Sequence, residues 1–95
     1  MYATVRVYTA GHELVDALAR NESAVRTLLG EIDGFRAYYL VRTPDGAISV
    51  SVYDTELGAE SSTRAAAAWI AENLPELTGS TPQVSSGEVV INAEG

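Results

Sequence analysis

The chain has 95 residues, a length that fits one folded domain, 1–95. Hydrophobic residues make up 46% of it and charged residues 20%, as is typical of globular domains. Thirteen acidic and six basic side chains give a formal net charge of -7, and this field repels nucleic acid and anionic membranes. The chain lacks cysteine and lysine, which excludes disulfides, thiolate nucleophiles and lysine Schiff bases.

The start of the chain, MYATVRVYTAG, does not have the basic and apolar regions of a signal peptide. The longest apolar run, Ala65 to Ala71, is much shorter than the roughly 20 residues of a membrane span. We therefore expect a cytoplasmic protein.

The first two predicted elements are a strand and a helix. Residues 2–8 alternate in character, with Ala3, Val5 and Val7 on one side and tyrosine, threonine and arginine on the other, which predicts a strand. Residues 11–32 carry apolar side chains at helical spacing, with a weak point at Asn21, and Gly34 follows as a helix-terminating glycine.

Residues 34–55 predict a hairpin around Pro44-Asp45-Gly46, in which proline sets the first turn position and glycine accepts a positive φ. Pairing of Thr43 with Gly46 would place the set Phe35, Ala37, Tyr39, Val41, Ile48, Val50 and Val52 on one face. A bulged loop would pair Thr43 with Ala47 and bring Tyr38 and Leu40 beside the valines. Burial favours the first register, with its valine-rich face toward the helices.

A second helix is predicted from about Glu56 to Leu74, capped by Asp54 or Thr55 and ended by Pro75, and a last strand over 87–93. The order of elements predicts an α+β, ferredoxin-like split βαβ fold (βαββαβ), with a four-stranded antiparallel sheet and two helices on one face.

The predicted sheet face away from the helices is too apolar to be left exposed to water. In the favoured register it would carry Tyr2, Tyr8, Tyr38 and Leu40, with Arg6, Arg36 and Arg42 as ion pairs across an interface. We therefore expect a homodimer through the sheet face opposite the helices.

The order of elements, Gly34-Phe35, the Pro-Asp-Gly turn and the tryptophan of the second helix resemble the dimeric α+β barrel superfamily, in its antibiotic-biosynthesis-monooxygenase-like branch. The resemblance implies a homodimeric α+β barrel with a ligand pocket between sheet and helices. It also implies a cofactor-independent monooxygenase acting on a small aromatic, quinol or polyketide-like substrate. The alternative is a non-enzymatic module that binds a small hydrophobic ligand or serves as a structural dimer.

Candidate substrate-binding residues are Trp69, Tyr39, Phe35, Leu14 and Leu18, with Val5 and Val7 as further walls of the pocket. Trp69 can equally be a core anchor, since the alanines around it leave room for a large ring. The sequence indicates no catalytic residue, because it contains no nucleophile motif and no pair of acidic catalytic residues.

The sequence predicts neither a metal site nor a cofactor. The only histidine, His12, begins the first helix, whereas the haem-degrading members of the superfamily need one on or after the second helix. Asp54, Glu56 and Glu60 are interpreted as ordinary charges at a helix N-terminus.

Overall fold

The computed structural model describes residues 1–9, 11–77 and 81–95, and these form one antiparallel sheet with helices on one face. The strand order is β2-β3-β1-β4. The elements are β1 (Tyr2–Tyr8), α1 (Glu13–Arg20), α2 (Glu22–Gly30), β2 (Phe35–Thr43), β3 (Gly46–Tyr53), α3 (Glu56–Asn73), a 3₁₀ turn (Pro75–Leu77) and β4 (Gln83–Glu88). The predicted ferredoxin-like fold is confirmed.

The predicted first helix is divided in two at its weak point. Asn21 leaves helical geometry with φ of -110° and ψ of 28°, and its Nδ2 donates to the Ala17 carbonyl oxygen at 2.8 Å. Asparagine competes well for backbone partners in this way, which is why helices tend to end at it. The break lets α1 bury Leu14, Val15 and Leu18 on the sheet.

The α3 helix agrees closely with its prediction. The Thr55 hydroxyl accepts a hydrogen bond from the Gly58 N–H at 3.1 Å and caps the first turn. The helix ends at Asn73, before Pro75, because the residue preceding a proline disfavours helical geometry. This long helix brings Ser62, Thr63 and Trp69 over the sheet.

The hairpin adopts the favoured register, since Thr43 pairs with Gly46 and Tyr39 with Val50. The prediction that Gly46 has a positive φ is wrong, because the positive-φ glycines in the described chain are Gly11 and Gly34. A Cβ at Gly46 would instead lie 1.9 Å from the Tyr8 carbonyl oxygen. Gly46 therefore allows β1 and β3 to approach closely.

The assignment of the two sheet faces was wrong. The face under the helices carries Thr4, Arg6 and Tyr8 of β1 and Ser49, Ser51 and Tyr53 of β3, all of them buried. The valine-rich face points away from the helices, and there Tyr39 is 62% exposed and Val41 49%. Val5 and Val7 lie on this outer face too, because they alternate with the buried residues of β1.

Two more local features differ from expectation. A bulge between Phe35 and Ala37 turns Phe35 onto the helix side, where its ring meets the Tyr53 ring edge to face at 5.6 Å between centroids. The last strand ends at Glu88 rather than Ala93, and Val90 and Ile91 beyond it are 86% and 82% exposed.

Candidate ligand-binding cavity

Arg6 is the most unusual residue of the layer between sheet and helices. It lies in the middle of β1 and is only 4% exposed, with its guanidinium between β3 and α3. Its hydrogen-bond acceptors are four hydroxyl oxygens, on Ser49, Ser51, Ser62 and Thr63, at 3.5, 3.2, 3.2 and 2.7 Å. The buried Nε has no acceptor in the described protein.

The other strand arginines form ion pairs within the protomer, against expectation. Arg42 Nη1 lies 2.6 Å from an oxygen of Asp16 on α1, and Arg36 pairs with Asp54. No carboxylate of the described chain pairs with Arg6, so its charge is balanced only by the dipoles of neutral hydroxyls.

Three tyrosines surround the same layer. Burial raises the pKa of the Tyr8, Tyr38 and Tyr53 phenols above the ordinary value of 10.0, and the nearby charge of Arg6 partly opposes this effect. All three are therefore neutral phenols at physiological pH. The Tyr53 hydroxyl donates to the Leu29 carbonyl oxygen at 2.9 Å and ties β3 to α2.

Arg6 and Tyr8 line a cavity of about 260 Å³ between β1, β4 and α3. The rest of its lining is mostly apolar and includes Leu14, Ala66, Ala67, Ile70, Leu77 and Val84. The alanines of α3 leave this space because their side chains end at Cβ. A small void of about 30 Å³ on the other side of Arg6 is lined by Trp69, Tyr38 and Leu18.

A wide groove of about 820 Å³ also opens in this layer, between β2 and the helix pair α1 and α2. Phe35 and Tyr39 line it together with Leu18 and Val25.

The five predicted binding residues are thus divided among three spaces. Leu14 lines the 260 Å³ cavity, Trp69 and Leu18 line the small void, and Phe35 and Tyr39 line the wide groove with Leu18. The predicted placement of Tyr39 toward the helices is wrong, because Tyr39 belongs to the outer face and is 62% exposed. Trp69 is partly buried against the core.

Sequence reasoning missed Arg6 and Tyr8 as residues of the cavity, and the serines of β3 as hydrogen-bond partners of Arg6. A signal was present in SVSVY, since serines at every second position line one face of a strand whose other face is valine. Small hydroxyl side chains on a buried face make room for a long neighbouring side chain and supply acceptors to it.

Searches for related proteins returned solved structures only. No family model and no curated protein match the sequence. The haem-degrader MhuD from Mycobacterium tuberculosis, solved with two haems in its active site, aligns with a TM-score of 0.70 and 12% identity over 99% of this chain and 100% of that chain.

Two further structures have similar scores. The ActVA-Orf6 monooxygenase of Streptomyces coelicolor, in complex with nanaomycin D, gives a TM-score of 0.64 and 18% identity over 98% of this chain and 91% of that chain. A dimeric ferredoxin-like protein from an uncultured marine organism gives a TM-score of 0.64 and 14% identity over 99% of this chain and 96% of that chain. The chain therefore shares the ferredoxin-like fold of these three proteins, as the sequence predicted.

The described residues do not fit haem in this cavity. The Nε2 of His12, the only histidine, lies 2.6 Å from the Thr43 carbonyl oxygen at the start of α1, away from the cavity lining. The raised pKa of Tyr8 disfavours the phenolate that would ligate iron.

The described residues form neither a cluster of metal ligands nor a helix that could span a membrane. They contain no cluster of three or more His, Cys, Asp or Glu that could hold a metal ion. Among the described helices, none is long and apolar enough to cross a bilayer.

Proposed function

We propose that the protein is a cofactor-independent monooxygenase that oxidises a small, flat, electron-rich aromatic molecule. The observation that carries this proposal is the 260 Å³ cavity, in which one neutral phenol, Tyr8, lies in a mostly apolar lining. Its volume is slightly below the range of about 300–1,000 Å³ of sites for drug-sized ligands, so it suits one or two rings.

The chemistry asked of the protein is to position the substrate for reaction with O₂. An electron-rich phenol or quinol supplies the electrons that reduce O₂, as when a benzylic CH₂ group and O₂ become a carbonyl group and water. The apolar residues Leu14, Ile70 and Leu77 would hold the ring, and the Tyr8 hydroxyl would donate a hydrogen bond to a substrate oxygen.

Oxygen uptake tests this function directly. We expect a hydroquinone and anthrone panel, measured with an oxygen electrode and a chelator present, to give turnover without added flavin or metal. Tyr8→Phe should lower the rate by about ten-fold, the effect of one hydrogen bond to the reacting oxygen. Tyr2→Phe, on the same strand and the same face but outside the cavity lining, serves as the matched control.

A binding module without turnover is the second candidate. It is favoured by the cavity lining, which in the described chain includes no carboxylate and no imidazole to act as a general base. Quenching of Trp69 fluorescence by a naphthoquinol, without oxygen uptake across the panel, would support this candidate over the enzyme.

We also propose that the active form is a homodimer, with the outer sheet faces of two protomers packed together. The outer face presents nine apolar side chains on three strands and carries no charged residue there: Ala3, Val5, Val7, Ala37, Tyr39, Val41, Ile48, Val50 and Val52. Exposed apolar patches of this extent are rare on monomers. The same face of a second protomer would bury this patch in a two-fold symmetric interface. The dimeric ferredoxin-like structure supports this assembly by analogy.

A further inference from the structure

The wide groove, the small void and the 260 Å³ cavity lie in a row between the sheet and the helices. The groove and the void have four lining residues in common: Leu18, Val25, Leu29 and Tyr38. The void and the cavity also have four in common: Arg6, Tyr8, Ala66 and Ile70. The void therefore lies between the open groove and the cavity and adjoins both.

The small void admits only a very small molecule. Its volume of about 30 Å³ is close to the volume that one water molecule takes in the liquid, which is also about 30 Å³. Dioxygen is a diatomic molecule and fits a space of this size, whereas an aromatic ring does not. The void therefore offers a route for a gas that the aromatic substrate cannot take.

Apolar side chains form most of the lining of the void, with Leu28 and Trp69 among them. Of its polar groups, the Ser49 hydroxyl already accepts a hydrogen bond from Arg6 Nη1 at 3.5 Å. The Arg6 Nε has almost no accessible surface, so a molecule in the void does not reach it. A buried water makes about three hydrogen bonds, whereas apolar cavities stay dry and take up apolar guests. The void therefore suits a small apolar molecule better than water.

One side chain in the wall between the void and the cavity is free to move. Arg6 is held there by hydrogen bonds to four hydroxyls, and Ala66 carries only a methyl group. Ile70 is an aliphatic side chain that is only partly buried. Its rotation would open the void to the cavity beside Tyr8, which lines both spaces.

We propose that the small void is a binding site for dioxygen, which enters from the wide groove and passes on to the substrate in the 260 Å³ cavity. The inference rests on the proposed function for what happens to the O₂. Because the void is too small for the substrate ring, a bound substrate does not block the supply of O₂.

Xenon tests this site without any turnover. It is an apolar, monatomic gas that binds in dry apolar cavities. Crystals of the natural protein held under xenon pressure should show a xenon atom in the void beside Trp69. A void that stays empty under xenon, or that holds an ordered water which xenon does not displace, would overturn the inference.

Leu28→Phe removes the site. Among the described residues, Leu28 lines the void but neither the groove nor the cavity, so a larger side chain there fills the void alone. The xenon atom should be lost in this variant and kept in Leu57→Phe, the same substitution at an exposed position of α3. Xenon that remains in the void of Leu28→Phe would contradict the assignment. If Leu28→Phe does not fold, xenon in the natural protein still decides.

Oxygen uptake at graded O₂ concentrations gives the functional arm. Leu28→Phe should raise the KM for O₂ by at least about three-fold and leave the KM for the aromatic substrate unchanged, because only the supply of O₂ is obstructed. Equal KM values for O₂ in Leu28→Phe and Leu57→Phe would overturn the path through the void.

The inference and the proposed function fail differently. Xenon bound in the void without oxygen uptake on any substrate of the panel would sink the oxygenase and leave the gas site standing. Oxygen uptake without a xenon site, and with an unchanged KM for O₂ in Leu28→Phe, would sink the gas site and leave the oxygenase.

Discussion

Val5 of β1 and Val50 of β3 are direct cross-strand partners at the centre of the outer sheet face, where no helix of the described chain covers them. Val50 also pairs with Tyr39 of β2, so these side chains link the three strands that carry the apolar surface. Such pairs stabilise the sheet. Burial of their solvent-facing apolar surface against another chain would add further stabilising free energy.

The first prediction concerns this pair. Light scattering coupled to gel filtration should give twice the chain mass of 10.1 kDa for the natural protein. Val50→Glu should shift the mass to that of one chain, because a charge at the centre of an apolar interface would lose its water without gaining a partner. Leu57→Glu, on an exposed position of α3, should remain dimeric. A natural protein that runs as a monomer would remove the basis for the sheet-to-sheet dimer.

The second prediction concerns Gly46. In Gly46→Ala the new methyl group would clash with the Tyr8 carbonyl oxygen, and the backbone of two central strands would have to separate. Urea unfolding should show a loss of about 3 kcal/mol.

Gly30→Ala is the matched control for Gly46→Ala. A Cβ at Gly30 meets nothing within 4 Å, and the residue lies at the end of α2. This variant should be as stable as the natural protein or more stable by about 0.5 kcal/mol. Equal stabilities for the two alanine variants would mean that the strands do not approach as described.

The third prediction concerns the hydrogen bond of Tyr53. Tyr53→Phe keeps the ring against Phe35 but leaves the Leu29 carbonyl without its donor in a buried position. The expected loss is about 1–3 kcal/mol in the free energy of unfolding. Tyr39→Phe, whose side chain is 62% exposed in the protomer, should change stability by less than about 0.5 kcal/mol.

The fourth prediction concerns alkaline pH. Burial raises the pKa of Tyr8 and Tyr38 in the folded protein above the ordinary 10.0, so the unfolded chain ionises first as pH rises. Their contribution to stability is complete below about pH 10 and is lost as pH rises through the raised pKa values.

Urea unfolding between about pH 8 and about pH 11 measures this loss. The double variant Tyr8→Phe, Tyr38→Phe should lose less stability over that range than the natural protein. An identical decline in both proteins would assign the effect to other groups.

The order and bounds of most elements could be predicted because alternation, helical spacing and turn residues are local signals. Asn21, Thr55 and the Pro44-Asp45 turn each act through their immediate neighbours. The register was also accessible, since pairing Thr43 with Gly46 collects the larger set of apolar side chains on one face.

The orientation of the sheet could not be predicted in the same way. Both faces of β1 and β3 are buried to some degree, and the rule that the more apolar face meets the helices fails when that face is free to meet another chain. The helix side instead holds Arg6 among hydroxyls, a group that is stable there only through four long-range hydrogen bonds. The site residues on that face were consequently missed.

β4 is an edge strand of the sheet, and its exposed edge affects how the protein should be handled. It is exposed along its length, pairs only with β1, and leads into Val90 and Ile91. A free strand edge beside exposed apolar residues is a template for adding further chains. At neutral pH the net charge of -7 keeps chains apart, but near the isoelectric point of about 4.4 this repulsion vanishes. We therefore expect precipitation in mildly acidic buffers, and purification is best kept at neutral or slightly basic pH.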